Sequence, residues 1–175
     1  MTNIYTLSYQ LSTKSINSMI VILEKIKQQL PSKNQTEAEL LACRLAPDMY
    51  PLNRQIQLIS DQAKGMVARL AGIENPSIED KETTIEELIE RLKRTVEFIQ
   101  NVPEDNYVHA DERQIILPWM KEMMPGKALT AEEFFLTFAL PNFYFYMVTA
   151  YAILRNQGYE IGKFDYIGDL KTIDI

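Results

Sequence analysis

The sequence predicts an all-α protein, a bundle of four long helices with short extra helices and a small hairpin before the last of them. Three observations carry that expectation. Four segments repeat apolar residues at spacings of three to five, the period of a helix with one buried face. Three Thr-x-x-Glu boxes, Thr36–Glu39, Thr84–Glu87 and Thr130–Glu133, stand where helices have to begin. Pro and Gly fall where the periodic stretches stop.

The elements follow in order. Leu7, Leu11, Ile16, Met19, Leu23, Ile26 and Leu30 form the first stripe, ended by Pro31 and the polar PSKNQ. Thr36 and Glu39 open a short helix through Leu40 and Leu41. Pro47 and Pro51 bracket LAPDMYP and turn the chain, and Pro51 suits the first turn of the next helix. There Leu52, Ile56, Ile59, Ala63, Met66, Leu70 and Ile73 alternate spacings of four and three, a core helix of about six turns. Gly72 and Pro76 close it. After Thr84, the residues Ile85, Leu88, Leu92, Val96 and Ile99 supply the next stripe. Glu87–Arg91 and Glu90–Arg94 stand at i,i+4 on its outer side and read as exposed ion pairs on a solvated face.

From Asn101 to Lys127 no helical period appears. RQIILPW followed by KEMMPGKAL reads as a small hairpin around Pro125–Gly126, with Trp119, Met120, Met123 and Met124 covering a bundle end. Thr130 then starts a helix through Phe134, Phe135 and Phe138. Pro141 interrupts it, since an interior proline removes a hydrogen bond and costs about 3 kcal/mol. A kink or short break is expected, then a last helix from Asn142 to Asn156 closed by Gly158, and an irregular tail over 159–175. The 175 residues suit one domain with a sizeable core.

Composition narrows the function classes. A net charge of −6 disfavours nucleic acid and anionic membrane as partners. The single cysteine, Cys43, excludes an internal disulfide and fits a reducing compartment. The first residues lack the basic and apolar regions of a signal peptide, and no transmembrane helix is expected, so the expected location is cytoplasmic. The single histidine, His109, excludes any mechanism that needs two imidazoles from one chain.

RLAPDMYPL (Arg44 to Leu52), DQAKGMVARLAG (Asp61 to Gly72), ALPNFYFYMVTAYAILR (Ala139 to Arg155) and GKFDYIG (Gly162 to Gly168) resemble, in order and over nearly the whole chain, one bacterial family. It is the domain-of-unknown-function family numbered nineteen ninety-three, of the DinB-like (DinB/YfiT) superfamily, whose members are regarded as metalloenzymes. The resemblance implies a DinB-like four-helix bundle, often dimeric. In metal-binding members three histidines hold a divalent ion, one from the second long helix and two from an H-x-x-x-H pair on the last. Some members are thiol transferases or thiol-dependent isomerases. Here Tyr146 stands where the last helix commonly carries His, Ala150 follows four residues on, and the second long helix has no His. His109 matches no ligand position. The resemblance therefore implies a degenerate metal site, with no metal or other cofactor to assign.

At 100° per residue, Phe143, Met147, Ala150 and Leu154 form the apolar centre of the last helix, flanked by a polar-edged stripe of Asn142, Tyr146 and Thr149. Gln55 lies about 60° off the stripe of the second long helix, at its inner edge. Gln55, Asn142, Tyr146 and Thr149 are the candidate pocket, set against the plainer reading of a buried amide–phenol pair satisfying itself. Arg44 and Asp48 either pin the LAPDMYP turn, the favoured role, or line a pocket mouth. Asp61 and Lys64 read as an i,i+3 salt link, and Gly65 as a close approach by another helix, from this chain or a partner. Cys43 reads as a core thiol and His109 as part of a solvated loop.

The favoured function is a non-catalytic domain that binds a small molecule or a protein partner, a homodimer included. The alternative is a divalent-metal-dependent enzyme of the DinB-like thiol-transferase or hydrolase type. A purely structural interaction protein is the third.

Overall fold

The computed structural model describes residues 3–173. Four helices form the bundle: α1 (Ile4–Gln29), α3 (Leu52–Ala71), α4 (Ile85–Gln100) and α7 (Leu140–Asn156). The short helices are α2 (Glu37–Ala42), α5 (Met120–Met123), α6 (Ala131–Glu133) and α8 (Lys163–Ile167). Strands β1 (Gln114–Ile115) and β2 (Leu129–Thr130) pair antiparallel, Gln114 opposite Thr130. The expected hairpin is thus two residues deep, with α5 inside its connection.

The Thr36 and Thr84 boxes close as expected. The Thr84 hydroxyl accepts the Glu87 N–H at 3.2 Å, and Glu87 accepts the Thr84 and Thr83 N–H groups at 3.1 and 2.7 Å. The third box is half made: Thr130 accepts the Glu133 N–H, while the Glu133 carboxylate takes the Thr137 hydroxyl. Gly72 ends α3 in the left-handed conformation at φ 66°, which a side chain adopts only at a cost.

Helix directions decide where polar groups meet. Lys27 pairs with Glu86 at one end of α1 and Asn3 donates to Glu104 at the other, so α1 and α4 are antiparallel. Gln57 near the start of α3 meets Glu82 just before α4, and Tyr107 beyond α4 donates to the Val67 carbonyl. Helices α3 and α4 therefore run in the same direction. No tight turn joins parallel neighbours, so residues 73–84 return along the outside as a long crossover. Helix α7 runs antiparallel along α3, and the core lies between the four helices.

Several expectations need correction. Leu7 is exposed, and Ser8 and Ser12 face inward in its place, Ser8 beside Tyr107. Trp119, Met123 and Met124 are substantially exposed, and only Met120 covers the core. The 159–175 segment is not wholly irregular. Tyr159 and Ile161 are buried, Arg155 donates to the Ile161 carbonyl at 2.7 Å, and α8 is pinned to α1 by Lys25–Asp165.

Pro141 does not break the helix. Ala131 to Asn156 is continuous because Phe134–Ala139 is a π-helix, in which the Leu140 N–H reaches back to the Phe135 carbonyl. Ala131, Phe135, Ala139, Phe143 and Met147 are all buried at successive steps of four. In a pure α-helix each such step drifts about 40° off the face. The wider π turn cancels that drift and eases the crowding upstream of the proline ring. Fusing the two pieces also yields the one helix among the described residues long and apolar enough to cross a membrane by length and composition, where none was expected. Its Phe143–Leu154 face packs on α3.

Candidate functional site

Buried charge concentrates where the crossover lies over α3 and α4. Arg91, wholly buried on α4, donates to Glu82 at 3.0 Å, Asp61 at 3.0 Å and the Glu79 carbonyl at 3.1 Å, and forms an ion pair with Asp80 at 2.9 Å. Lys64, also buried, meets Asp61 at 3.1 Å, and Arg54 pairs with Asp80. Gln57 completes the ring, donating to Glu82 at 2.9 Å and accepting from Arg54 at 3.2 Å. Three cations thus share three carboxylates, the balance a buried ionic cluster requires. The Arg91 Nε alone is buried without an acceptor.

This overturns the reading of Glu87–Arg91 as an exposed pair. Glu87 is spent on the helix cap, and the crossover covers the flank that a bare helix would show to water. Glu90–Arg94 does remain outside, although Glu90 pairs with Lys93 at 2.7 Å, and Arg94 donates only to the Glu90 carbonyl. The expected Asp61–Lys64 link is present, but as part of a larger cluster.

Beside the cluster opens a cleft of about 510 Å³ between α3, the crossover and the segment before α5. Its floor is Asp61, Lys64, Arg69 and Asn75, and one wall is Trp119 against Phe138, ring centres 6.0 Å apart. Phe138 comes from the π segment, so the irregular turn sets that wall. Gly65 lies beneath two of these floor residues. A Cβ there would stand 2.5 Å from Arg69 Nη1 and 3.5 Å from Asn75 Nδ2. Among the described residues the atoms nearest Gly65 are side chains, not another helix: the Arg69 side chain folds back over it and donates to the Gly65 carbonyl at 2.9 Å. Burial pushes the Arg69 guanidinium down from its ordinary value. Gly65 and Arg69, one turn apart in the most regular helix of the chain, were the available signal for this cleft. A larger groove of about 700 Å³ between α1 and the chain after α8 is walled by exposed Phe164 and Leu170.

The sequence-predicted residues gather less tightly. Gln55 is buried and donates to the Tyr50 carbonyl at 2.9 Å, while its Oε1 has no partner. Tyr146 is half-buried, and no hydrogen bond joins it to Gln55 among the described residues. The self-satisfied pair is therefore not made. Burial, with Tyr50 next, pushes the Tyr146 phenol up, partly offset by Arg54. Thr149 is buried and donates to the Phe145 carbonyl of its own helix at 2.7 Å, and Asn142 is half-buried. Arg44 pins the LAPDMYP turn through the Met49 carbonyl, and Asp48 is exposed beside it. The Cys43 thiol, half-buried, is pushed up by burial, the opposite of an activated nucleophile. His109 is exposed and meets only Glu112, at 3.4 Å.

A divalent metal does not fit the α3–α7 position. An amide, a phenol held neutral by burial and the Ala150 methyl are not a ligand set for zinc or nickel. Among the described residues no three His, Cys, Asp or Glu side chains are grouped to hold a metal ion.

The comparisons with known proteins agree with this architecture. The family described as Domain of unknown function (DUF1993) matches residues 4–167. No curated protein matches the chain. Among solved structures, the crystal structure of a DinB family member protein from Shewanella denitrificans is similar, at 35% identity and a TM-score of 0.91. The match covers 98% of this chain and 95% of that one. The chain therefore belongs to the DUF1993 family, folded as an all-α DinB-like helical bundle.

Proposed function

We propose that the protein is a binding domain for a small organic molecule, with the cleft between α3, the crossover and Trp119 as its site. The supporting observation is the cleft itself: about 510 Å³, inside the range of ligand sites, with polar groups converging on its floor and an aromatic wall. The Gln55–Tyr146 region gives weaker support, because Thr149 is satisfied within its own helix and Tyr146 meets no partner there. Among the described residues no nucleophile–base pair accompanies either place, and binding is the favoured role over catalysis. A homodimer and a cytoplasmic location stay part of the proposal, resting on superfamily habit and on the single thiol.

Trp119 is the only tryptophan, so its indole N–H gives one isolated NMR signal inside the site. Titration with a fragment library of mixed charge should shift that signal for a subset of fragments. If no fragment of any charge moves it, the cleft is not a binding site.

A further inference from the structure

We infer that the cleft selects an organic anion, a carboxylate carried on a flat aromatic or apolar body, with Arg69 and Asn75 as the anion-holding pair. This rests on the binding role proposed above and names the ligand class.

The charge balance of the floor carries the argument. Asp61 Oδ1 receives both Arg91 and Lys64, Asp80 receives Arg91 and Arg54, and Glu82 receives Arg91 and Gln57. Each carboxylate is matched by a cation inside the cluster. Arg69 is the charge left over. Its one bond among the described residues goes to the neutral Gly65 carbonyl, and it lies beside no carboxylate partner. A partly buried guanidinium without a counter-ion, in a chain of net charge −6, is costly unless something anionic joins it.

Geometry points the same way. Arg69 Nη1 and Asn75 Nδ2 both stand against Gly65, where no side chain intervenes, and both residues line the cleft. The Asn75 oxygen is turned toward Lys64 Nζ, at 3.5 Å, which leaves its amide N–H groups as donors. A guanidinium fork beside an amide donor matches the two oxygens of a carboxylate. Trp119 and Phe138, which line the same cleft, offer a surface for a flat apolar body.

The test uses three probes of one shape: phenylacetate, its neutral amide 2-phenylacetamide, and the cation 2-phenylethylamine. Binding is read from the Trp119 indole signal of the full chain. Phenylacetate is expected to bind at least tenfold more tightly than the amide, with no response to the amine. Arg69→Gln should weaken phenylacetate at least tenfold, and Arg69→Lys should recover part of the loss. Gly65→Ala provides a second disruption, because its Cβ displaces the flexible end of Arg69 and strikes no backbone. Melting temperatures of all variants report folding separately. Equal binding of acid and amide, or preference for the amine as a cation over the aromatic wall, overturns the anion class and leaves the cleft as a site. Silence from all three probes overturns the anion class; silence from the mixed-charge library removes the site itself.

Discussion

The two flanks of α3 treat buried polarity in opposite ways. On the crossover side, Gln57, Asp61 and Lys64 belong to a cluster in which three cations meet three carboxylates. On the α7 side, Gln55 bonds once to the Tyr50 carbonyl and leaves an oxygen without a partner, and Tyr146 is half-buried with its phenol kept neutral. The first flank is bound together by groups that cannot be removed singly; the second holds polar groups that make few demands on each other. A buried ionic cluster concentrates coupling, because every member is the counter-charge of another. Isolated amides and phenols do not.

Three substitutions sharpen or break this contrast, from the largest expected effect to the smallest. Arg91→Leu should cost about 3–5 kcal/mol, since it leaves buried Glu82 without its cation and unseats the crossover. Urea denaturation measures it, and a cost under about 1 kcal/mol would show the cluster to be surface-like. Thr84→Ala removes only the local cap at the exit of the crossover and should cost about 1 kcal/mol. A cost equal to that of Arg91→Leu would mean that the cap, and not the cluster, holds the crossover.

The same cap has a pH signature. Hydrogen bonds from Thr83 and Thr84 hold the Glu87 carboxyl below its ordinary 4.5, and Thr36 does the same for Glu39. A depressed carboxyl contributes stability that is present above its unfolded value and is lost as pH falls through the folded one. Wild-type stability should therefore decline below about pH 4.5, and Thr84→Ala combined with Glu87→Gln should flatten that decline. The smallest effect belongs to the other flank. Tyr146→Phe should shift stability by less than about 0.5 kcal/mol, because the hydroxyl makes no hydrogen bond among the described residues. A loss above 1.5 kcal/mol would reveal a partner for the phenol and restore the α3–α7 position as a built site.

Regular periodicity was readable in the sequence, and the helices it named are present: α1, α3, α4, the capped starts at Thr36 and Thr84, and the α7 core face. Reading failed where the answer depended on what covers a helix flank. Arg91 looks exposed on a helical projection of α4, since nothing local announces that residues 73–84 fold over it. At Gly65 the close approach within the described residues comes from a side chain four residues on rather than from another helix of the chain.

The π turn at Phe134–Ala139 sets a rotational phase as well as tolerating a proline. Residues before and after it face the same core only because one extra residue sits in that turn. Winding the same residues as an ordinary α-helix would swing the upstream end by about 100°. Phe138 would leave the cleft wall and β2 would lose its register with β1. The helix acts as a keyed shaft, in which the aromatic wall of the cleft and the core face of α7 are clocked to each other by one residue.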